Sequence, residues 1–291
     1  MNGGIIDLHV HTNYSDGKRS LDYIKDKAIE NNVSVIALAE HYNMSSFVEF
    51  RKLVDHQIEV IPAIELSASL LSYGLSKRHS CHIVAYFPTT KIYSILDHYE
   101  LSRDKCVKKT LELLHKEGIN ISYNDVLRFA KDKTSVGRFD IATTLSNLGY
   151  APTPAKAYSK FFDLKSPIYI DREKMQVSEL IKNVLDCKGL PVLVHPRSLR
   201  LNYSDFTSFI SELKSFGLVG IEAYNPHNTP EQTEFFKEIC DEFELITTVG
   251  SDYHGRSKEN VQIGLGIDNN LMIDDYSIVK ALKKKEKELH Y

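Results

Sequence analysis

The feature that most constrains the fold of this chain is a regular alternation of short apolar runs with amphipathic segments. Seven runs rich in β-branched residues cover residues 4–10, 33–38, 60–66, 81–87, 191–194, 218–223 and 245–249. Between several of them, apolar side chains recur at helical spacing, as Leu21, Ile24 and Ala28 do after the first run. Strands that alternate with helices are typical of a parallel sheet with right-handed crossovers. We therefore expect an α/β protein with a seven-stranded parallel sheet.

Almost every predicted strand carries an ionisable side chain at or near its C-terminal end. These side chains are His9 and His11, Glu40 and His41, Glu65, His82, His195, and Asp252 and His254. A TIM-like barrel builds its active site at that end of its strands. Residues two apart on an extended strand face the same side, so His9 and His11 should converge on one ion. The same spacing predicts that Asp252 and His254 converge as well.

The type and number of these residues predict a metal site. A single histidine at a strand end more often has a structural role than a ligand role. Glu65 is different, because a carboxylate inside an apolar run is costly to bury unless it is paired or binds a cation. With Asp16 in the loop after the first strand, six histidines and three carboxylates are available, more than one ion needs. Mixed nitrogen and oxygen ligands favour Mn²⁺, Fe²⁺ or Zn²⁺, and we expect two or three ions with a carboxylate bridging a pair.

The interval of residues 91–167 interrupts the alternation of strands and helices. Val107, Leu111 and Leu114 share one face of a predicted helix, and no run in the interval has the pattern of a strand. We therefore expect residues 91–167 to form a helical insert over the mouth of the active site. Residues 1–90 and 168–291 would together form the barrel domain.

Composition narrows the class of protein. The 291 residues are 42% hydrophobic and carry a net charge of −3, so no overall field draws the chain to nucleic acid or a membrane. The four cysteines are widely spaced and form no CxxC pair, which favours free thiols in a reducing compartment. Asp7 and His9 interrupt the first apolar run, so it does not have the pattern of a signal peptide. We expect a cytoplasmic protein.

Several segments together resemble one known family. Asp7-Leu8-His9-Val10-His11-Thr12 and Ser15-Asp16-Gly17 resemble the opening motif of the polymerase and histidinol phosphatase (PHP) family. The later segments that match in order and spacing are Ile64-Glu65, His82-Ile83-Val84, Val194-His195-Pro196 and Gly250-Ser251-Asp252-Tyr253-His254-Gly255. The resemblance covers nearly the whole chain. It implies a distorted TIM-like (β/α)7 barrel with a helical insert and a trinuclear metal site.

Carried over residue by residue, the resemblance implies a ligand set for each of three ions. The first would be held by His9, His11, Glu65 and Asp252, the second by Glu65, His82 and His195, and the third by Asp16, His41 and His254. Glu65 would bridge the first two ions. One departure lies beside this set, because the family's Thr-Asp-His-Asp is replaced here by Ala39-Glu40-His41-Tyr42.

Two further segments resemble one branch of the family. They are Gly137-Arg138 at the head of an insert helix, and residues 220–225 with His227. That branch hydrolyses nucleoside monophosphates, 3′,5′-bisphosphates and short oligoribonucleotides, and the resemblance implies that Arg138 and His227 contact the phosphate. The insert motif of the family reads Gly-Arg-Pro-His, whereas Phe139 and Asp140 follow Arg138 here.

The predicted function is hydrolysis of phosphate esters of nucleotides, such as AMP and 3′,5′-bisphosphates, or of short oligoribonucleotides, by a metal-activated hydroxide. Two alternatives stay open: a histidinol-phosphatase-like phosphatase of a small metabolite, and a metal-stabilised module without catalysis. The large set of ionisable residues argues against the second alternative. A small phosphorylated substrate is the expected partner, because the chain lacks the basic stripe with interleaved aromatic residues that a stable nucleic-acid complex needs.

Overall fold

The structure is a computed structural model that describes residues 3–75, 79–130, 136–163, 165–256 and 260–290. The chain divides into two compact units, one of Met1–Tyr93 with Met175–Tyr291 and one of Ser94–Lys174. We call them the barrel unit and the helical unit. The predicted insert of residues 91–167 overlaps the helical unit, and its residues 131–135 and 164 lie outside the described residues.

Seven strands form one sheet in the barrel unit, in the order β1 to β7. The strands are β1 Ile5–Val10, β2 Val33–Leu38, β3 Glu59–Ala68, β4 Cys81–Tyr86, β5 Leu190–Val194, β6 Gly220–Tyr224 and β7 Ile246–Val249. The sheet curls until the segment after β7 reaches β1, where the Asp252 N–H donates to the His9 carbonyl over 2.9 Å. Tyr253 then pairs with Val10 as a parallel bridge. The expected distorted TIM-like barrel of seven strands is confirmed.

One strand runs against the predicted direction. β4 is antiparallel to both β3 and β5, which corrects the expectation of an all-parallel sheet. Residues 69–80 join β3 to β4, and the only element described in this link is a 3₁₀ turn at Leu71–Tyr73. A parallel return usually runs through a helix, and the described part of this link contains no α-helix, so the chain reverses direction instead. His82 lies near the start of β4, opposite Ser67 and Val194, and therefore reaches the edge where β3 and β5 end.

Helices cover the sheet of the barrel unit. In chain order, the α-helices among the described residues are α1 Leu21–Glu30, α2 Ser45–Leu53, α3 Ile92–Lys116, α4 Tyr123–Phe129, α5 Arg138–Asn147, α6 Pro154–Phe161, α7 Val177–Asp186, α8 Tyr203–Phe216, α9 Pro230–Glu242 and α10 Ser277–His290. Ile24 of α1 and Phe50 of α2 are fully buried in one core with Val33 and Ile36 of β2. Alternate residues of β2, such as Val35, belong to a second core shared with α10. Burial on both faces fixes the register of the strands, and hence the positions of their ends.

The helical unit has a core of its own. In the described part of Ser94–Lys174 every regular element is a helix, namely α4, α5, α6 and most of α3. Val107 and Leu114 of α3 are buried together with Ile141 and Leu145 of α5 and Phe161 of α6. None of the helices among the described residues of the chain is both long and apolar enough to span a membrane.

Candidate metal centre

Nine side chains that the sequence predicts as metal ligands converge at one edge of the barrel sheet. They form four overlapping groups: His11, Asp16, His41 and His254; His9, Glu65 and His195; His9, His11 and Asp252; and His41, Glu65 and His82. In each group the nitrogen or oxygen atoms lie within 4.8 Å of one another. We call these nine side chains the candidate centre. All of them belong to the barrel unit.

Two pairs of candidate ligands are separated by two positions in the sequence, and the backbone brings each pair into the candidate centre in a different way. His9 lies in β1 and His11 directly follows it, and their Nε2 atoms are 3.1 Å apart, as extended geometry predicts. The same explanation is wrong for Asp252 and His254, because Asp252 has a φ of 53° and is not extended. Its Oδ1 nevertheless lies 3.3 Å from His11 Nε2. Here the hydrogen bonds to β1 hold the turn, and a left-handed residue aims the carboxylate.

Glu65 lies at the middle of the candidate centre and is almost fully buried. Its Oε1 atom is 2.7 Å from His82 Nδ1 and 2.9 Å from His195 Nε2. Its Oε2 atom is 3.2 Å from His11 Nε2 and 3.3 Å from His41 Nδ1. The two oxygens of one carboxylate therefore face two different pairs of imidazoles.

Three buried polar atoms of the candidate centre make no hydrogen bond of acceptable geometry with any described residue. They are Asp16 Oδ1, His41 Nδ1 and Glu65 Oε2. A buried polar atom without a partner typically costs about 1–3 kcal/mol. All three belong to the groups whose ligand atoms converge. Imidazole nitrogen and carboxylate oxygen are the ligands that divalent transition metals accept, so this donor set fits the metals that the sequence predicts.

Without bound ions, the pKa shifts in the candidate centre differ from residue to residue. Burial by itself would raise the pKa of Glu65, but the charges of the surrounding histidines hold it well below its usual range. Burial likewise opposes ionisation of Asp252, and hydrogen bonding to His11 with the charge of His9 holds its pKa below the ordinary value. Burial lowers the pKa of His41 to about 4. Burial also opposes protonation of His11, but its interactions with Asp252 and Glu65 raise its pKa to about 9. At neutral pH the carboxylates and His41 are therefore in the forms that bind metal, whereas His11 would release a proton on binding an ion.

Glu222 is a residue of the site to which the sequence reasoning assigned no role. It is fully buried on β6, and its Oε2 lies 2.7 Å from His9 Nδ1. Its Oε1 accepts the N–H of His195 over 3.1 Å and the Asn225 side-chain amide over 2.8 Å. It thus orients two predicted ligands. The signal that marked Glu65, a carboxylate inside an apolar run, is equally present at Glu222.

Two other buried carboxylates support the loops that carry the ligands. Glu40 accepts the Thr12 N–H over 3.1 Å and also the hydroxyls of Thr12 and Ser15. The longer acid found here in place of the family's aspartate therefore stabilises the loop that leads to Asp16. Burial raises the pKa of Asp7 to about 6, against the opposing effect of hydrogen bonds such as that from the Ser251 N–H, 2.9 Å long.

The candidate centre opens into a cavity of about 610 Å³. Arg197, Arg200, Asn225 and His227 line this cavity together with members of the candidate centre. The His227 N–H donates to Asn225 Oδ1 over 3.0 Å, and its carbonyl accepts from Arg197 Nη1 over 2.6 Å. His227, one of the two predicted phosphate contacts, therefore lies beside the predicted ligands.

Arg138, the other predicted phosphate contact, begins α5 in the helical unit. Its guanidinium lies 4.6 Å from the centre of the Tyr169 ring and donates to the carbonyl of Ile170. Asp140, which departs from the family motif, accepts the Gly137 N–H over 2.8 Å and so caps α5. The contacts of Arg138 within this unit involve protein groups, and its role in phosphate binding stays a prediction.

Comparison with known proteins identifies relatives of this chain. The family model described as the PHP domain matches residues 7–187. A 5′-3′ exoribonuclease from Haemophilus influenzae is 25% identical over 252 residues, which cover 85% of this chain and 89% of that protein. A phosphoribosyl 1,2-cyclic phosphate 1,2-diphosphodiesterase from Eggerthella lenta is 24% identical over 271 residues, 90% of this chain and 99% of that one. A 3′,5′-nucleoside bisphosphate phosphatase from Chromobacterium violaceum is 20% identical over 263 residues, with coverages of 89% and 90%.

Solved structures agree with this relationship. A chain from Bifidobacterium adolescentis, assigned to the metal-dependent phosphoesterases, has a TM-score of 0.71 and 25% identity, and the match covers 96% of both chains. An amidohydrolase from Chromobacterium violaceum has a TM-score of 0.72 at 19% identity, again over 96% of both chains, and shows the shared fold. The family model matches residues 7–187, which is well over half of this chain. The chain therefore belongs to the PHP family of metal-dependent phosphoesterases.

Proposed function

We propose that this phosphoesterase acts on nucleotides, hydrolysing AMP, 3′,5′-bisphosphates or short oligoribonucleotides. The observation that carries the proposal is the convergence of nine donor side chains, six of which line a cavity whose wall also holds His227 and two arginines. The relatives from Haemophilus influenzae and Chromobacterium violaceum are an exoribonuclease and a nucleoside bisphosphate phosphatase. Both names describe phosphate esters of nucleotides, which supports the same class of substrate here.

For catalysis, the candidate centre would hold two or three ions of Mn²⁺, Fe²⁺ or Zn²⁺. The proposed ligands are His9, His11, Glu65 and Asp252 for the first ion, Glu65, His82 and His195 for the second, and Asp16, His41 and His254 for the third. When bound, such ions activate water at neutral pH and neutralise charge on phosphoryl oxygens. Glu65 is the proposed bridge, because its two oxygens face different pairs of imidazoles.

The remaining roles belong to side chains that orient the ligands and the substrate. Glu222 holds His9 through Nδ1, so that Nε2 stays directed at the candidate centre. His227 and Arg138 are the proposed phosphate contacts, and an arginine suits this role because its planar fork can donate two hydrogen bonds at once. From the interrupted pattern of strands and helices we also propose that residues 91–167 cover the mouth of the site.

The expected setting is a reducing compartment with a small phosphorylated substrate. All four cysteines are buried free thiols, which supports the proposal of a cytoplasmic enzyme. The cavity of about 610 Å³ lies within the range of roughly 300–1,000 Å³ that is typical of small-molecule sites. A nucleotide is a ligand of this size class.

A phosphate-release screen with Mn²⁺ tests the proposed substrate class. AMP, adenosine 3′,5′-bisphosphate, a short oligoribonucleotide and histidinol phosphate are compared at equal concentration. We expect turnover of at least one nucleotide to exceed that of histidinol phosphate. Turnover of histidinol phosphate alone would contradict the proposal and favour the small-metabolite alternative. If no ester is hydrolysed by the metal-loaded protein, the metal-stabilised module without catalysis is the better description.

A further inference from the structure

The wall of the cavity beside the candidate centre carries two arginines on one tight turn. Arg197 lies in, and Arg200 directly follows, the 3₁₀ turn Pro196–Leu199 that begins after the predicted ligand His195. The turn is bounded by His195 with a φ of 33° and by Arg200 with a φ of 52°. Left-handed backbone is uncommon for residues other than glycine and clusters at functional sites. The turn thus places two cations in the same cavity as the ligand.

Arg197 is held by a chain of hydrogen bonds that starts at Glu222, the residue that orients His9. Glu222 Oε1 accepts from Asn225 Nδ2 over 2.8 Å, and Asn225 Oδ1 accepts the His227 N–H over 3.0 Å. The His227 carbonyl then accepts from Arg197 Nη1 over 2.6 Å. Among the described residues, the Arg197 guanidinium makes this one hydrogen bond. One hydrogen bond thus ties the exposed Arg197 side chain to the cavity wall, while other donors of its fork remain available.

Arg200 is exposed, and its guanidinium has neither an ion pair nor a hydrogen bond with the residues that the structure describes. Glu65 and Asp252 are the carboxylates among the described residues that line the cavity, and both belong to the candidate centre. No acid of the described cavity wall is therefore committed to the two arginines. Two arginines on one cavity wall without a compensating carboxylate favour an anion with several oxygens, and a phosphoryl group matches their planar donors.

We infer that Arg197 and Arg200 form a second anion-binding subsite, which takes a second phosphoryl group of the substrate while the scissile one lies at the candidate centre. The inference rests on the proposed function and narrows it to phosphate esters that carry two phosphoryl groups. The second group comes either from a nucleoside bisphosphate or from the internucleotide link of a short oligoribonucleotide. The cavity of about 610 Å³ has room for more than one phosphoryl group.

Substrate selectivity provides the first test. The Mn²⁺-loaded wild type, Arg200→Ala and Arg200→Lys are compared on adenosine 3′,5′-bisphosphate, 5′-phosphorylated diadenylate and AMP. In Arg200→Ala, we expect kcat/KM for a substrate with two phosphoryl groups to fall about tenfold to a hundredfold relative to AMP. Arg200→Lys should give a smaller loss, because lysine keeps the charge without the fork. Arg51→Ala, which removes an exposed arginine of α2, is the control and should keep the wild-type ratio.

The pattern of losses identifies the source of the second group. A lower ratio for the bisphosphate alone assigns the subsite to a terminal phosphate, and a lower ratio for the dinucleotide alone assigns it to the internucleotide link. A ratio unchanged for both substrates, or an equal loss on all three, overturns the inference. An equal loss on all three substrates would mean that Arg200 acts on the scissile phosphate instead.

Equilibrium binding separates the subsite from the proposed function. Binding of adenosine 3′,5′-bisphosphate and of AMP to chelator-treated protein is measured by calorimetry, which requires no turnover. Arg200→Ala should weaken binding of the bisphosphate at least about tenfold relative to Arg51→Ala, with a smaller change for AMP. If the wild type hydrolyses no nucleotide but Arg200→Ala still binds the bisphosphate more weakly, the proposed function is contradicted and the subsite is supported. Equal binding by the two variants overturns the subsite whatever the enzyme hydrolyses.

Discussion

The barrel unit and the helical unit differ in whether their predicted functional side chains are satisfied by the protein itself. In the barrel unit, Glu65 Oε2 and His41 Nδ1 are buried without a hydrogen-bond partner among the described residues. In the helical unit, Arg138 already donates to Ile170 and stacks on Tyr169. Unsatisfied buried atoms require a bound ion to offset their desolvation, whereas the Arg138 guanidinium already has a protein partner. The comparison therefore predicts strong metal dependence for the first unit and a milder substrate effect in the second.

Removal of metal should have the largest effect, because it strips the barrel unit of the ions that its buried donors need. Protein purified without chelator is expected to carry more than one equivalent of transition metal per chain, measured by elemental analysis. Chelation should abolish phosphate release, and Mn²⁺ should restore it. A metal-free or calcium-only protein that still hydrolyses phosphate esters would contradict the role given to the candidate centre.

Loss of single ligands should come next. His9→Ala and Asp252→Asn each remove a proposed ligand of the first ion, and we expect turnover to fall on the order of a thousandfold or more. The fold should persist, as judged by circular dichroism, because the strand cores do not depend on either side chain. His115→Ala, at an exposed histidine of α3, is the matched control and should keep its activity. Wild-type turnover in either ligand variant is incompatible with the proposed mechanism.

Glu222→Gln tests whether a residue that is not a proposed metal ligand changes the metal affinity of the candidate centre. The amide keeps the size of the side chain but removes the charge that faces His9 Nδ1. Loss of such a partner typically lowers metal affinity about tenfold to a hundredfold, which competition with a chelator measures. Glu234→Gln, at an exposed glutamate of α9, should leave the affinity unchanged. Equal affinities in the two variants would show that Glu222 does not orient the ligands.

Arg138→Ala should have the smallest of these effects. Metal content should stay constant, because Arg138 lies in the helical unit and outside the ligand groups. A lost charged hydrogen bond is typically worth about 1.5–3 kcal/mol, so we expect kcat/KM to fall roughly tenfold to a hundredfold on every ester. Arg128→Ala, at an exposed arginine of the same unit, is the control. If Arg138→Ala lowers the melting temperature but keeps wild-type kinetics, its guanidinium serves only Ile170 and Tyr169.

Local periodicity explains the successes of the sequence-based predictions. Residues two apart on a strand share a face, which predicts that His9 and His11 lie side by side, and the structure puts their Nε2 atoms 3.1 Å apart. A carboxylate in an apolar run predicts a special role for Glu65, which lies almost fully buried at the middle of the candidate centre. The capping of α5 by Asp140 is also a local interaction. The comparison with the family motif shows only that Asp140 stands where the family has a histidine, and does not predict the cap.

The failures share a different physical origin. The direction of β4 depends on how residues 69–80 connect it to β3, and strand periodicity is the same in either direction. The left-handed backbone of Asp252 is held by its hydrogen bond to the His9 carbonyl, from the other end of the chain. Glu222 shows the same dependence, because its partner His9 lies 213 positions away. The apolar run around Glu222 marks a buried carboxylate, but the neighbouring sequence does not identify the distant partner in any of these contacts.

The sequence by itself determined the seven strands, the set of donor residues at their ends and the family to which the chain belongs, because these follow from side-chain type, spacing and order. Only the tertiary structure decided which donors share an atom of Glu65, how β4 brings His82 to the common edge, and how Glu222 connects His9 through His227 to Arg197. The physical reason is that periodicity is a property of neighbouring residues. Convergence instead requires hydrogen bonds and packing between strands that are distant in the chain.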